Sequence, residues 1–307
     1  MRAVVFAYHN MGIAGLEALR QAGFDISAVF SHRDDPGENV WFDSVTDWAR
    51  KNRIEVFCPD DINKPEWIQK ISRLSPDIIF SFYYRHMIGK DILSIPPSGA
   101  YNLHGSLLPA YRGRVPVNWV LVNGEKKTGI TLHHMTEKPD AGDIVGQKAV
   151  DIDFDDTART LYGKLCKAAG ILLGEILPLI REDKAPRTPQ DLTKGSYFGG
   201  RRPEDGRIDW KWPAVRIYNL IRAVADPYPG AFAFLPGDEK IMIWWAIPEN
   251  KSDSNHLPGQ IEVETGSVLV GTGQGHIRLL DIEVAGARMK NNLIFNYFKS
   301  KKGLILT

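Results

Sequence analysis

Ala3-Val4-Val5-Phe6-Ala7-Tyr8 and Asp77-Ile78-Ile79-Phe80-Ser81-Phe82 are two compact, nearly continuous apolar runs of strand length. Runs of this kind suit strands covered on both faces, as in a parallel sheet. After the first run, Ile13, Leu16 and Leu19 recur at helical spacing until Gly23 closes the segment. Ile26 to Phe30 and Ile54 to Cys58 read as further strands, with a helix around Val45 to Arg50 between them. Before the second quoted run, Trp67, Ile68, Ile71 and Leu74 mark a helix that Pro76 ends. After it, Ala100 to His104 reads as a strand approached through Pro96-Pro97. Strand and helix patterns alternating in this way predict an α/β domain, Rossmann-like, with a mostly parallel sheet.

The Pro-, Gly- and Arg-rich stretch from Gly105 to Pro116 reads as irregular. Gly129 to Met135 and Ile144 to Val150 fit two more strands, separated by a polar loop with Pro139 and Gly142. Asp156-Thr157 offers an N-cap for a long helix carrying Leu161, Leu165, Leu172, Ile176 and Leu179 on one stripe. Residues 182–206, rich in Pro, Gly and charge, read as a linker. One helix from about Pro213 to Ala225 then precedes strand-like runs at Ile241–Trp245, Gln260–Val263, Val268–Val270 and His276–Val284. Their spacing by Gly and Pro predicts a small β-rich domain, a barrel or a sandwich, read as an OB-like barrel. A chain of 307 residues suits two domains, placed at 1–200 and 201–307.

Lys and Arg number 38 against 37 Asp and Glu, a net charge of +1. That balance argues against a chain built to coat nucleic acid, which calls for a basic excess. Cys58 and Cys166 are too few for a disulfide framework and form no CxxC pair, so both read as buried, reduced and structural. Neither a secretory leader nor an apolar run long enough to span a bilayer is recognisable, so the chain reads as cytoplasmic and not inserted in a membrane.

Several motifs have plain structural readings. Asn10-x-Gly12-x-x-Gly15, with Asp34 beyond it, nearly matches a dinucleotide fingerprint but lacks the first glycine, and reads as an ordinary tight βα turn. Gly271-x-Gly273-x-Gly275 lies between two strands and reads as a hairpin turn. His133 and His134 are neighbours on a strand and point to opposite faces, so no metal site is expected from them or elsewhere. Asn102-Leu103-His104 is different. Residues i and i+2 of a strand share a face, and the carboxyl ends of parallel strands are where such sheets bind ligands. An amide donor and an imidazole would project together into that crevice, although on this pair alone a core histidine bonded to a backbone carbonyl is the favoured reading.

The loop that follows decides between these readings. Gly105-Ser106-Leu107-Leu108-Pro109-Ala110-Tyr111-Arg112-Gly113-Arg114 resembles the signature loop of formyltransferases that use 10-formyltetrahydrofolate. Asp140-Ala141-Gly142-Asp143-Ile144 matches the second half of that signature, and Arg222-Ala223 with Asp226-Pro227-Tyr228-Pro229-Gly230-Ala231 resembles a motif of the second domain. Within that superfamily the chain is similar to the sugar N-formyltransferases. It most resembles the formyltransferase half of the ArnA type, which acts on UDP-4-amino-4-deoxy-L-arabinose for lipid A. Val4-Val5-Phe6-Ala7-Tyr8-His9, Ser81-Phe82-Tyr83-Tyr84-Arg85-His86 and Asn118-Trp119-Val120-Leu121-Val122-Asn123-Gly124 carry that likeness, which covers about residues 1–235. The decarboxylating second half of that type is absent, so the chain reads as a free-standing enzyme or an excised domain.

The resemblance implies that Asn102 donates to the oxyanion, that His104 moves protons, and that Asp140 raises the histidine pKa. It implies a formyl-donor site at His86, Met87, Ile88, Arg114 and the loop Thr136-Glu137-Lys138-Pro139-Asp140. Met87 and Ile88 also suit plain helix packing. The implied cosubstrate is 10-formyltetrahydrofolate, with no metal, and the implied acceptor is a nucleotide-linked amino sugar rather than nucleic acid. Whether the protein forms a homo-oligomer stays open. Two rival readings are a methionyl-tRNA formyltransferase and a folate-binding scaffold without activity. A linker with Glu182, Asp183, Asp191, Glu204 and Asp205 beside Lys194, Arg201 and Arg202 argues against tRNA. The complete Asn102, His104 and Asp140 set argues against an inactive scaffold.

Overall fold

A computed structural model describes every residue except 35, 36, 38, 250–255 and 265. The chain opens with β1 (Arg2–Ala7), buried over its last five residues, and turns at Tyr8 into α1 (His9–Gln21). It continues through β2 (Asp25–Phe30), α2 (Val45–Lys51), β3 (Val56–Phe57), α3 (Pro65–Leu74), β4 (Ile78–Phe82), α4 (Lys90–Leu93) and β5 (Ala100–His104). The short β6 (Arg112–Gly113) and α5 (Pro116–Val122) lead to β7 (Lys127–His134), β8 (Ile144–Asp151), α6 (Ala158–Arg181) and β9 (Tyr197–Phe198). Then come α7 (Ala214–Val224), β10 (Ala231–Leu235), β11 (Glu239–Glu249), β12 (Ile261–Glu264), β13 (Ser267–Gly271), β14 (His276–Val284), β15 (Ala287–Lys290) and α8 (Asn292–Phe298).

The described chain divides into two compact units. One comprises Met1–Pro116, Lys127–Ile152 and Tyr162–Gly199; the other comprises Val117–Lys126, Asp153–Leu161 and Gly200–Thr307.

Seven strands of the first unit form one sheet in the order β3-β2-β1-β4-β5-β7-β8. The pairs from β3 to β5 are parallel, whereas β7 runs antiparallel to both β5 and β8. The expected mostly parallel α/β sheet is therefore present. Val4, Phe6, Phe30 and Ile79 of the sheet pack with Ile71 of α3 in one core cluster, the burial that continuous apolar strands require. Strand order reverses between β1 and β4, which opens the ligand-binding crevice of such sheets at their carboxyl ends. The Tyr8 hydroxyl there donates to Asp34 Oδ1 at 2.9 Å, and α1 begins directly after the strand, as an ordinary βα turn does.

Three local expectations are corrected. The Gly105–Pro116 stretch is not wholly irregular, because β6 pairs in parallel with β9. Part of the expected linker is equally well fixed: Ile144 and Thr188 exchange backbone hydrogen bonds at 2.8 and 2.9 Å. Buried or paired backbone must find partners somewhere, and here the edge of β8 supplies them. Cys58 and Cys166, expected to be buried, are only half-buried.

The second unit contains a six-stranded antiparallel sheet, ordered β10-β11-β14-β13-β12, with β15 beside β14. Phe234 of β10 and Thr307 exchange backbone hydrogen bonds at 2.8 and 3.0 Å, while Ile261 of β12 donates to Leu304 at 2.8 Å. The last residues thus join the two outer strands, which is how a barrel removes its edges. In the same unit Asn118 of α5 donates to the Ala223 carbonyl at 2.7 Å, and Arg222 donates to the Asp153 carbonyl at 3.1 Å. The Gly271–Gly275 hairpin turn closes through Thr272 N–H to the Gly275 carbonyl at 3.1 Å. Among the described residues, no helix is long and apolar enough to cross a membrane.

Candidate active site

β5 ends in Asn102-Leu103-His104, and the antiparallel register places His133 of β7 opposite Asn102. Cross-strand partners on one face lie close enough for their side chains to meet. The loop after β7 brings in Asp140, which adopts φ 50°. One carboxylate oxygen, Oδ2, accepts the Gly113 N–H at 2.9 Å. The other, Oδ1, lies 3.5 Å from His104 Nδ1, from His133 Nε2 and from Asn102 Nδ2. A single carboxylate oxygen is thereby shared among an amide and two imidazoles.

The remaining contacts assign the protons. His133 Nδ1 lies 2.8 Å from the His134 carbonyl and donates to it, which makes Nε2 the acceptor for Asn102 Nδ2 at 3.2 Å. His104 Nε2 lies 2.8 Å from the Tyr111 carbonyl and donates likewise, which leaves Nδ1 as the lone-pair nitrogen facing Asp140. Burial pushes the His104 imidazole below its ordinary value, and the neighbouring Asp140 carboxylate opposes that push without overcoming it. The expected upward influence of Asp140 is present, but the net direction is downward, so His104 is neutral near pH 7. Burial acts to raise the Asp140 carboxyl; His104 and His133 in their protonated form, with the Gly113 N–H, hold it at about 2. A neutral imidazole, a fixed carboxylate and a side-chain amide can accept a proton, stabilise the resulting cation and donate to a developing oxyanion.

The formyl transferase family profile matches residues 1–177, and the formyl transferase C-terminal domain profile matches residues 201–299. The chain belongs to the formyltransferase family. Among solved structures, this formyltransferase is similar to WlaRD, described as a sugar 3N-formyl transferase in the presence of dTDP and 5-N-formyl-THF. The two share 21% identity over 94% of this chain and 98% of that one, with a TM-score of 0.71. An N-formyltransferase from Helicobacter canadensis, in complex with folinic acid and dTDP-3-aminofucose, gives 22% identity, 91% and 98% coverage and the same TM-score. HypX from Aquifex aeolicus with tetrahydrofolic acid gives 18% identity over 98% of this chain and 48% of that one, with a TM-score of 0.60. At these identities the likeness is one of fold.

The other expected site residues of this formyltransferase fall into two places. His86 and Met87 are exposed in the loop after β4, and this loop, not a helix, also carries Ile88. Ile88 itself is buried in the core cluster. Asn63 fixes the loop by donating to the Met87 carbonyl at 2.9 Å and accepting the Gly89 N–H at 2.7 Å. Thr136, Glu137 and Lys138 are exposed, and Pro139 is half-buried beside Asp140. The Thr136 hydroxyl donates to the Lys138 carbonyl at 3.0 Å, and Glu137 pairs with Lys90 at 3.2 Å. Gln190 donates to the Asp140 carbonyl at 3.0 Å, anchoring the end of this loop. Arg114 is exposed and follows Gly113, the backbone donor to Asp140.

Sequence reasoning passed over two features of the crevice. His133 was set aside with His134, because its role depends on the β5–β7 register. The second feature is an aromatic cluster beyond β1, β2 and β4. His9 stacks on Phe42 at a centroid distance of 3.8 Å, with the edges of Trp41 and Tyr162 at 4.6 and 4.7 Å. His32 stacks on Tyr84 at 4.2 Å and meets His86 edge-on at 4.6 Å. Burial, assisted by the Arg85 charge, holds His9 at about 3; burial with His86 and Arg85 holds His32 at about 4. The aromatic and histidine pairs at successive strand ends were the available signal.

Proposed function

We propose that this formyltransferase moves a formyl group from 10-formyltetrahydrofolate to the amine of a nucleotide-linked amino sugar, with UDP-4-amino-4-deoxy-L-arabinose as the first acceptor to test. The observation that carries the reading is Asn102, His104 and Asp140 gathered at the carboxyl end of β5 on a formyl transferase fold. The structures described for WlaRD, with dTDP and 5-N-formyl-THF, and for the Helicobacter canadensis enzyme, with folinic acid and dTDP-3-aminofucose, support the class of donor and acceptor.

In this reading neutral His104 takes a proton from the attacking amine at Nδ1, and Asp140 Oδ1, 3.5 Å away, stabilises the imidazolium. The Asn102 amide uses one N–H on His133 at 3.2 Å; its other N–H reaches Asp140 only at 3.5 Å and is the donor available to the oxyanion. His104 then returns the proton to the leaving folate nitrogen. The exposed loops at His86–Met87 and Thr136–Pro139, with Arg114, offer backbone and side-chain polar groups for the flat, donor-and-acceptor edge of a pterin. Residues 1–200 carry this chemistry and residues 201–307 form the β-rich C-terminal domain.

The test is a mass-resolved formylation assay with 10-formyltetrahydrofolate. The acceptors are UDP-4-amino-4-deoxy-L-arabinose, a dTDP-3-amino sugar and charged initiator tRNA. Gain of one formyl group on an amino sugar alone supports the reading. A dTDP-sugar outcompeting the UDP-pentose replaces the acceptor and keeps the reaction, whereas comparable formylation of tRNA overturns the proposal.

A further inference from the structure

His256, just before β12, Glu262 on β12 and His276 on β14 each present one ligand-type atom, and these atoms all lie within 4.8 Å of one another. We propose that they form a site for one divalent transition-metal ion of the zinc type, inside the β-rich unit and independent of formyl transfer. Two donors bound to a tetrahedral zinc at about 2.0–2.1 Å lie roughly 3.3 Å apart by simple geometry. His276 Nε2 and Glu262 Oε1 are 3.5 Å apart, already close to that edge. His276 is fully buried and Glu262 half-buried, so the pair spans β13 from a central strand to an outer one.

The position of His256 rests on a missing side chain. Gly271 of β13 pairs directly with His276, and a Cβ at Gly271 would lie 2.6 Å from His256 Cδ2 and 3.1 Å from its Cβ. The imidazole of His256 thus occupies the space over this glycine, with its centroid 4.0 Å from that of His276. His256 Nε2 lies 3.2 Å from the Thr272 carbonyl and donates to it, which makes Nδ1 the lone-pair nitrogen. Metal-binding histidines are held in this way, one ring nitrogen on a backbone carbonyl and the other on the ion. Two imidazoles and a carboxylate are a borderline-soft donor set that suits zinc and leaves a fourth position for water. The ion would tie the segment before β12 to the middle of the sheet, and its binding energy would add to the stability of the unit. Sequence spacing concealed the set, since the chain brings it together only through pairing across β13.

The experiment uses full-length protein stripped with a chelator, titrated with Zn²⁺ by calorimetry and melted with and without the ion. One Zn²⁺ per chain and a higher Tm are expected. His256→Asn and Glu262→Gln, each confirmed folded by circular dichroism, should lower the affinity at least about tenfold and abolish the rise in Tm. His104→Asn, which alters the other histidine–carboxylate cluster, should bind Zn²⁺ as the unaltered protein does. Absence of stoichiometric binding would overturn the proposal. So would binding that survives both substitutions, or binding lost in His104→Asn.

Discussion

Replacing His9 by asparagine should flatten the loss of stability in acid. In the unfolded chain this imidazole titrates near its ordinary 6.5, while in the folded protein burial and Arg85 hold it at about 3. Between those values the unfolded state binds a proton that the folded state refuses. Stability is therefore whole above pH 6.5 and falls as the pH falls, at about 1.4 kcal/mol for each pH unit. From pH 6.5 to 4.5 His9 alone accounts for about 2 kcal/mol, since the slope reaches its full value only below pH 6.5. His32, held at about 4 but half-exposed, adds a smaller loss over that range, for a combined loss of about 3–4 kcal/mol. That is a large part of the ~5–15 kcal/mol by which domains are stable. Asp140 does not enter this window, because its carboxyl titrates at 3.8 when unfolded and at about 2 when folded. Asparagine is the apt replacement because His9 sits at φ 63°, a left-handed conformation that asparagine tolerates. Lost stacking on Phe42 will lower stability at every pH, so the slope is the informative quantity. Urea denaturation at pH 7.5, 6.5, 5.5 and 4.5, followed by tryptophan fluorescence, measures it. His9→Asn should remove about 1.4 kcal/mol per pH unit from the slope below pH 6.5, and His9→Asn/His32→Asn more than that but less than twice as much. A slope identical to that of the unaltered protein would refute the reasoning.

Two further outcomes bear on the site. His104→Ala should lower kcat by about 10²–10⁴-fold while folate Kd, read by calorimetry, stays within about twofold; unchanged turnover would remove His104 from the proton path. Gly113→Ala should lower stability by about 1–3 kcal/mol, because φ there is 98° and the added methyl meets the Phe198 carbonyl. It should also loosen the Gly113 hydrogen bond to Asp140, so kcat should fall further than KM changes; a variant with normal stability and kcat would show that this clamp is dispensable.

How much was legible in the sequence depended on whether a residue's partners were near or far along the chain. Ala100–His104 was read with its true bounds, because apolar alternation and the prolines before it are local signals. Strands β11, β12, β13 and β14 were foreseen on the same grounds, though β10 and β15, set by pairing with β11 and β14, were not. α5 went unread because its residues, PVNWVLV, are almost continuously apolar and carry no helical period. β6 and β9 are two residues each and exist only because Arg112–Gly113 meets Tyr197–Phe198 from far along the chain. The same distance hid His133, whose meaning comes from standing opposite Asn102, and the His256–Glu262–His276 set. Asp140 was reachable through the family signature. The downward direction of the His104 pKa was not, because burial is a property of the fold and outweighs the neighbouring carboxylate.

The second unit is assembled from three pieces of chain, Val117–Lys126, Asp153–Leu161 and Gly200–Thr307. Its internal ties run from the early pieces to the late one: Asn118 to Ala223, Arg222 to Asp153, and the Tyr218 hydroxyl to the Phe154 carbonyl. A genetic crossover near position 200 would therefore draw the two ends of each tie from different parents. Exchange of C-terminal parts between relatives should succeed only where α5 and residues 153–161 travel with them, a rule that chimera libraries with one breakpoint or several can measure. Evolution of this protein by shuffling is accordingly constrained to inherit three segments as one.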